Sequence, residues 1–114
     1  MGRKNLEIEA MINALKNFSF CATQGDTEVV SYKDTQFVYY GLSCIAVIDH
    51  YKRNIDLFPR RLAVHDDNVS NVRRVVSRMN AILEMFNKGV KVVVRNGQFK
   101  LIGTPTTWTI KLLA

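Results

Sequence analysis

The most constraining stretch of this sequence runs from Asp66 to Gly89 and has the periodicity of one long amphipathic helix. Its large apolar residues recur every three or four positions, as they do when one side of a helix faces a core: Val69, Val72, Val75, Val76, Met79, Ile82, Leu83 and Phe86. Asp66 or Asp67 can cap the first turn, because a short carboxylate accepts hydrogen bonds from the backbone N–H groups there. Gly89 can supply the left-handed residue that ends many helices. We therefore predict a core helix on which the rest of the chain packs.

The opposite side of this predicted helix is basic. It carries Arg73, Arg74, Ser77, Arg78 and Met85. Arg74, Arg78 and Met85 fall in one narrow sector, which makes them candidates for a partner contact. The alternative interpretation is a solvated face whose arginines serve solubility and pack their aliphatic stems.

The remaining patterns predict one α+β unit, residues 1–114, with two helices on a mainly antiparallel sheet in the order α-ββββ-α-βββ. The first helix is predicted over 5–17, with Ile8, Met11, Ile12, Leu15 and Phe18 on its inner face. Alternating or apolar runs predict strands over 18–23, 27–32, 36–49, 54–58, 90–95, 98–102 and 106–113. The run 36–49 is long for a strand and contains Gly41 and Ser43, so we expect a bulge or a break there.

Asn96 and Gly97 form the strongest short hairpin signal in the chain. A two-residue loop pairs Arg95 with Gln98 and predicts the register of the whole hairpin. One face then carries Val90, Val92, Val94, Phe99 and Leu101 toward the core. Val93, Ile102 and Leu113 are expected on outer sheet faces, where they indicate an interface such as that of a homodimer.

Composition places the chain among basic, soluble proteins of the cytoplasm. Its 114 residues are 47% apolar, enough for a core without metal or disulfide support. The N-terminus has no apolar signal segment, and no apolar run is long enough to span a bilayer. Cys21 and Cys44 are expected to be unbridged, buried thiols. The net charge of +6 favours anionic partners.

Candidate catalytic groups are few. The segment of His65, Asp66 and Asp67 is similar to the His-Asp core of metal-dependent phosphohydrolases. Asp49 and His50 form a second such pair. Those enzymes need several further His and Asp ligands, whereas this chain has 2 histidines in all. We predict helix caps and a loop histidine here, with no metal, no cofactor and no catalytic residue.

Tyrosines interleaved with basic residues supply the groups that stack on bases and neutralise phosphates. They are Tyr32, Tyr39, Tyr40 and Tyr51, with Lys33, Lys52, Arg53, Arg60 and Arg61. Direct nucleic-acid binding is therefore one functional hypothesis. Solvated loops with tyrosines packed at strand edges are the structural alternative.

The chain also resembles small accessory proteins of tailed bacteriophages over about residues 31–75. The resemblance rests on Ser31, Tyr32 and Thr35, on Val47-Ile48-Asp49 and Ile55-Asp56-Leu57, and on Asn68 and Ser70 at the start of the long helix. It implies a binding protein of the host cytoplasm that acts on a host or phage macromolecule.

The resulting expectation is a non-enzymatic binding protein that modulates or inhibits a host macromolecule or defence complex through a basic surface. Direct nucleic-acid binding is the alternative, and a small-ligand-binding protein or phosphohydrolase stands last. The residues expected to contact a partner are Lys52, Arg53, Arg60, Arg61, Arg73, Arg74, Arg78 and Met85.

Overall fold

The computed structural model describes residues 2–59, 69–86, 89–95, 98–103 and 107–112, with side chains described from Leu6 onward and, in the second helix, from Val72 onward. Its helices are α1, Gly2–Lys16, and α2, Val69–Met85. Its strands are β1 Cys21–Gln24, β2 Thr27–Tyr32, β3 Thr35–Tyr40, β4 Ser43–Asp49, β5 Asn54–Leu57, β6 Lys91–Arg95, β7 Gln98–Ile102 and β8 Thr109–Lys111. This is an α+β fold with both helices packed on sheet, as predicted.

Among the described residues, five strands rather than four precede α2. The predicted long strand over 36–49 divides into β3 and β4, and Tyr40 pairs with Ser43 across the turn between them. Gly41 has φ +63° there, a conformation that favours glycine. The expected break is confirmed, and it creates a hairpin in place of one strand.

In the part of the chain that the structure describes, the main sheet has six antiparallel strands in the order β1-β2-β3-β4-β5-β8, and β6 and β7 form a separate hairpin. The register of that hairpin is the one predicted, with Arg95 opposite Gln98 and Val92 opposite Leu101. The last strand does not extend the hairpin. It pairs with β5 instead, placing Ile110 opposite Ile55.

Both helices contribute to one apolar core on one face of the main sheet. The buried core residues on the helices are Met11, Ala14, Leu15, Val75, Met79, Ile82 and Leu83, and those on the strands include Val29, Val38, Ala46, Ile48, Ile55, Leu57, Val92 and Ile110. The predicted inner face of α2 is therefore confirmed where its side chains are described, with Val72, Val76 and Phe86 partly buried against this core.

The predicted inner face of α1 is wrong at its last position. Phe18 is 46% exposed. Its φ of +50° ends the helix and turns the chain away before β1. Ring contact with His50, at 4.8 Å between centroids, holds Phe18 beside the turn after β4 rather than in the core.

None of the described helices has the length and apolarity to cross a membrane.

Candidate binding surfaces

Arg78 is not on an accessible basic face, so the prediction that it faces solvent is wrong. It is 4% exposed. Its Nη2 donates to Glu7 Oε1 at 2.9 Å, and its Nε donates to Thr27 Oγ1 at 2.9 Å. The third contact is Nη1 to the carbonyl of Arg74 at 2.8 Å. The helix side predicted to face solvent is covered at this position by α1 and by the start of β2.

A ring of polar contacts completes this buried site. Thr27 Oγ1 donates to Glu7 Oε1 at 2.7 Å, and the Arg78 guanidinium lies 5.0 Å from the ring centre of Tyr40. Burial acts to raise the pKa of Glu7, but the hydrogen bonds from Thr27 and Arg78 and the Arg78 charge outweigh it, so the pKa lies below its ordinary value. The arrangement satisfies a buried charge and is structural in character.

Of the other α2 candidates, Met85 lies apart from the two arginines. Arg73 and Arg74 are exposed, and Arg74 donates to the Tyr40 hydroxyl at 3.4 Å. Met85 is partly buried against the core, so it does not form an exposed contact sector with Arg74. Arg60 and Arg61 lie outside the described residues. The predicted α2 surface is thus reduced to its two exposed arginines.

A second basic surface forms where two turns of the main sheet meet. The β2–β3 turn and the β4–β5 turn lie at the same end of the sheet, because Tyr32 pairs with Thr35, Thr35 with Asp49 and Asp49 with Asn54. The backbone N–H of His50 in one turn donates to the carbonyl of Asp34 in the other at 2.8 Å. The two turns are therefore joined directly.

We define the turn surface by its exposed side chains: Tyr32, Lys33, Tyr51, Lys52, Arg53 and Lys111. Tyr32 is 59% exposed and Tyr51 is 81% exposed. The nearby carboxylates are Asp34 and Asp49, and one oxygen of Asp49 accepts from the backbone N–H of Lys52 at 2.9 Å. Cations outnumber carboxylates here, beside two aromatic rings that face solvent.

Of the predicted site residues, Lys52 and Arg53 lie on the turn surface, together with two of the four tyrosines, Tyr32 and Tyr51. Tyr40 is buried and Tyr39 is half-buried, so neither presents an open ring. Lys111 was not among the predicted site residues. It joins this surface because β8 pairs with β5, bringing Lys111 opposite Asn54. No local sequence pattern signals that long-range pairing.

A buried polar network supports the turn surface from below. The side chain of Gln36 is fully buried, and its Nε2 donates to the carbonyl of Leu15 and to Ser31 Oγ, both at 3.0 Å. Its Oε1 therefore accepts from His50 Nε2, at 2.7 Å. Burial lowers the pKa of His50, against the opposing charges of Asp34 and Asp49. The predicted loop histidine is thus also a partly buried link between the turns and α1.

The expected chemistry of the cysteines is partly confirmed. Cys21 and Cys44 are both reduced thiols, but only Cys44 is buried. The exposed Cys21 thiol donates to Glu28 at 3.3 Å, and this contact raises its pKa. Within the described ranges no cluster of His, Cys, Asp and Glu could hold a metal ion. The His65, Asp66 and Asp67 segment falls outside those ranges.

No protein-family model, curated protein or solved structure matches this chain.

Proposed function

We propose that this protein is a non-enzymatic binding protein whose turn surface engages an anionic macromolecule. In line with the resemblance to accessory proteins of tailed bacteriophages, its role is to modulate or inhibit a host macromolecule or defence complex in the host cytoplasm. The observation that carries the proposal is that two hydrogen-bonded turns present Lys33, Lys52 and Arg53 beside two exposed tyrosine rings.

The backbone at two of these cations supports a functional role. Lys33 has φ +54° and Arg53 has φ +61°. L-residues pay about 1–2 kcal/mol for left-handed backbone, and glycine is the residue that adopts it at little steric cost. Long basic side chains are thus held at positions where glycine would fit the fold. Residues kept in such conformations concentrate at functional sites.

The matched test replaces both residues by glycine. The double variant K33G/R53G removes two cations while accommodating both turns, so its thermal midpoint should stay close to that of the parent protein. The control R95Q/K100Q removes two exposed cations from the β6–β7 hairpin. Affinity capture from bacterial lysate at physiological salt should give a partner that the parent and the control retain and that K33G/R53G loses.

Two results would overturn the proposal. One is the absence of any saturable partner for the parent protein. The other is a partner that K33G/R53G retains as well as the control does, which would place binding elsewhere on the molecule.

Single-stranded nucleic acid is the second candidate partner of the turn surface. The observation that favours it is that Tyr32 and Tyr51 are exposed, with Lys33 Nζ 5.4 Å from the ring centre of Tyr32. An open ring can stack on a base while the cation neutralises a phosphate. Arg78, one of the residues expected to contact a partner, is 4% exposed and is not part of this surface.

The nucleic-acid candidate is tested by titrating labelled single-stranded DNA and RNA at several salt concentrations. The logarithm of affinity should fall with the logarithm of salt with a slope of about −0.7 per phosphate neutralised. Y51A should weaken binding by about 1–3 kcal/mol if the ring stacks on a base. Tyr39→Ala, on the half-buried tyrosine, is the matched control. Flat titration curves would leave a protein partner as the only candidate.

A further inference from the structure

An open groove, here called the edge groove, lies between α2 and β6, and none of its described lining residues belongs to the turn surface. It has a volume of about 560 Å³ and is lined by Val72, Arg73, Val76, Ser77, Asn80, Lys91, Val92, Val93 and Val94. This volume falls within the range of roughly 300–1,000 Å³ that is usual for ligand sites. The floor is formed mainly by valines of α2 and β6.

One wall of the edge groove is the outer edge of β6. Asn80 bridges this edge at Val92: its Nδ2 donates to the Val92 carbonyl at 3.0 Å, and its Oδ1 accepts from the Val92 N–H at 2.7 Å. The polar backbone groups of Val92 therefore point away from β7. Because this direction alternates along a strand, the N–H and C=O of Val94 point the same way. Among the described strands, only β7 lies beside β6.

The Asn80 amide thus occupies one position that a neighbouring strand would fill, and the next position along β6 opens into the groove. An added strand would meet both a donor and an acceptor at Val94. Its side chains would alternate between the valine floor and solvent. These features suit an extended peptide, and the described lining has no aromatic ring on which a nucleobase could stack.

The basic residues exposed at the edge groove favour acidic peptides. Arg73 and Lys91 are exposed at the groove, and no Asp or Glu is among the described lining residues. A second copy of the chain would bring an equally basic β6 edge against this one, and like charges facing each other across paired strands are destabilising. An acidic partner is favoured because its charge is opposite to that of Arg73 and Lys91.

We propose that the edge groove binds a short extended peptide in which acidic and apolar residues alternate, added as a strand to the β6 edge at Val94. The backbone of the peptide pairs with Val94, its apolar side chains contact Val72 and Val76, and its carboxylates lie near Arg73 and Lys91. Strand addition of this kind draws affinity from main-chain hydrogen bonds and specificity from alternate side chains.

The probes are acetylated and amidated hexapeptides in which valine and glutamate alternate, made in both registers. Binding is followed by amide NMR chemical shifts of the isotope-labelled protein, up to about 5 mM peptide, which detects affinities near the millimolar range. At least one register should shift the Val94 amide in a saturable manner. A peptide with proline in place of its glutamates lacks the alternate N–H donors and should shift nothing there.

Two protein variants locate the site. R73Q/K91Q should weaken peptide binding by about threefold to tenfold, the sum of two exposed ion pairs. K33G/R53G, altered only on the turn surface, should bind the peptide as the parent does. If K33G/R53G loses turn-surface binding but retains peptide binding, the two surfaces bind independently, and failure of one proposal is distinguishable from failure of the other.

Three outcomes would overturn this inference. The first is that neither register shifts the Val94 amide, and the second is equal binding by R73Q/K91Q. The third is a Val94 shift that depends on protein concentration without peptide, accompanied by dimer mass in light scattering. That last result would assign the β6 edge to a second copy of the chain.

Discussion

Arg78 shows how one polar side chain can fix the relative positions of several elements. Its guanidinium contacts Glu7 on α1, Thr27 on β2 and the ring of Tyr40 on β3, while its backbone belongs to α2. Each hydrogen-bonding arm of the planar group has an acceptor, which is the condition for burying a charge without a large penalty. This residue therefore positions α1 against α2.

Replacing Arg78 by methionine should lower the free energy of unfolding by about 2–3 kcal/mol. Breaking a fully buried pair costs about 3–5 kcal/mol, and the cost is smaller here because the Glu7 side chain remains 31% exposed and can rehydrate. Urea denaturation measures the change. Arg73→Met, on an exposed arginine of the same helix, is the control and should change stability by less than about 0.5 kcal/mol. Equal effects of the two variants would contradict the structural role of Arg78.

His50 makes stability depend on pH. Burial lowers its pKa in the folded protein below the ordinary value of 6.5. The unfolded chain therefore binds more protons in this range, and stability falls as the pH drops from about 6.5 through the folded-state pKa. His50→Gln keeps a donor for Gln36 but cannot titrate. Denaturation between pH 7 and pH 5, roughly spanning the titration of histidine, should show the wild-type loss and a flatter profile for the variant. Parallel profiles would contradict the assignment.

At the scale of elements, turns and amphipathic faces were predictable because their causes are local. The Asn96-Gly97 dipeptide predicts a two-residue loop and with it the register of the strands on either side, and the confirmed pairing of Val92 with Leu101 follows from counting outward. The apolar face of α2 follows from helical periodicity. Arg78 could not be placed in the same way, because its burial depends on α1, a distant segment whose packing leaves no trace in the local pattern.

The β1–β2 turn is constrained both by its own backbone and by contact with α1. Comparing Gly25 with Gly41 separates these two effects. Gly25 and Gly41 have φ +62° and +63°, but a Cβ at Gly25 would lie 2.6 Å from Glu7 Oε2, whereas one at Gly41 would meet nothing within 4 Å. Gly41→Ala should thus cost about 1 kcal/mol for left-handed backbone alone. Gly25→Ala should cost roughly 1–2 kcal/mol more, because it also displaces a carboxylate held by Arg78 and Thr27. Equal losses in urea denaturation would show that Glu7 moves aside freely.

At the scale of the whole molecule, α2 lies between the main sheet and the β6–β7 hairpin. It buries residues against β4, and Asn80 on the same helix anchors β6. By pairing with β5, the last described strand, β8, becomes an edge strand of the main sheet. The sequence predicted that strand but not its partner, since an alternating run shows which residues face inward and leaves the neighbouring strand undetermined. The position of Lys111 on the turn surface could not be predicted for the same reason.

One apolar core containing both Val92 and Ile110 predicts that the hairpin and the main sheet unfold together. Ile110→Ala should lower stability by about 2–5 kcal/mol, and Val92→Ala by less because it removes fewer buried carbons. The decisive measurement is the fluorescence of Trp108, the single tryptophan of the chain. This residue reports on the main sheet, because its carbonyl accepts a hydrogen bond from the Leu57 N–H. Although Val92 lies in the hairpin, its truncation should lower the fluorescence midpoint in urea and the circular-dichroism midpoint equally. A fluorescence midpoint that Val92→Ala leaves unchanged would mean that the hairpin unfolds by itself, and that α2 does not couple it to the sheet.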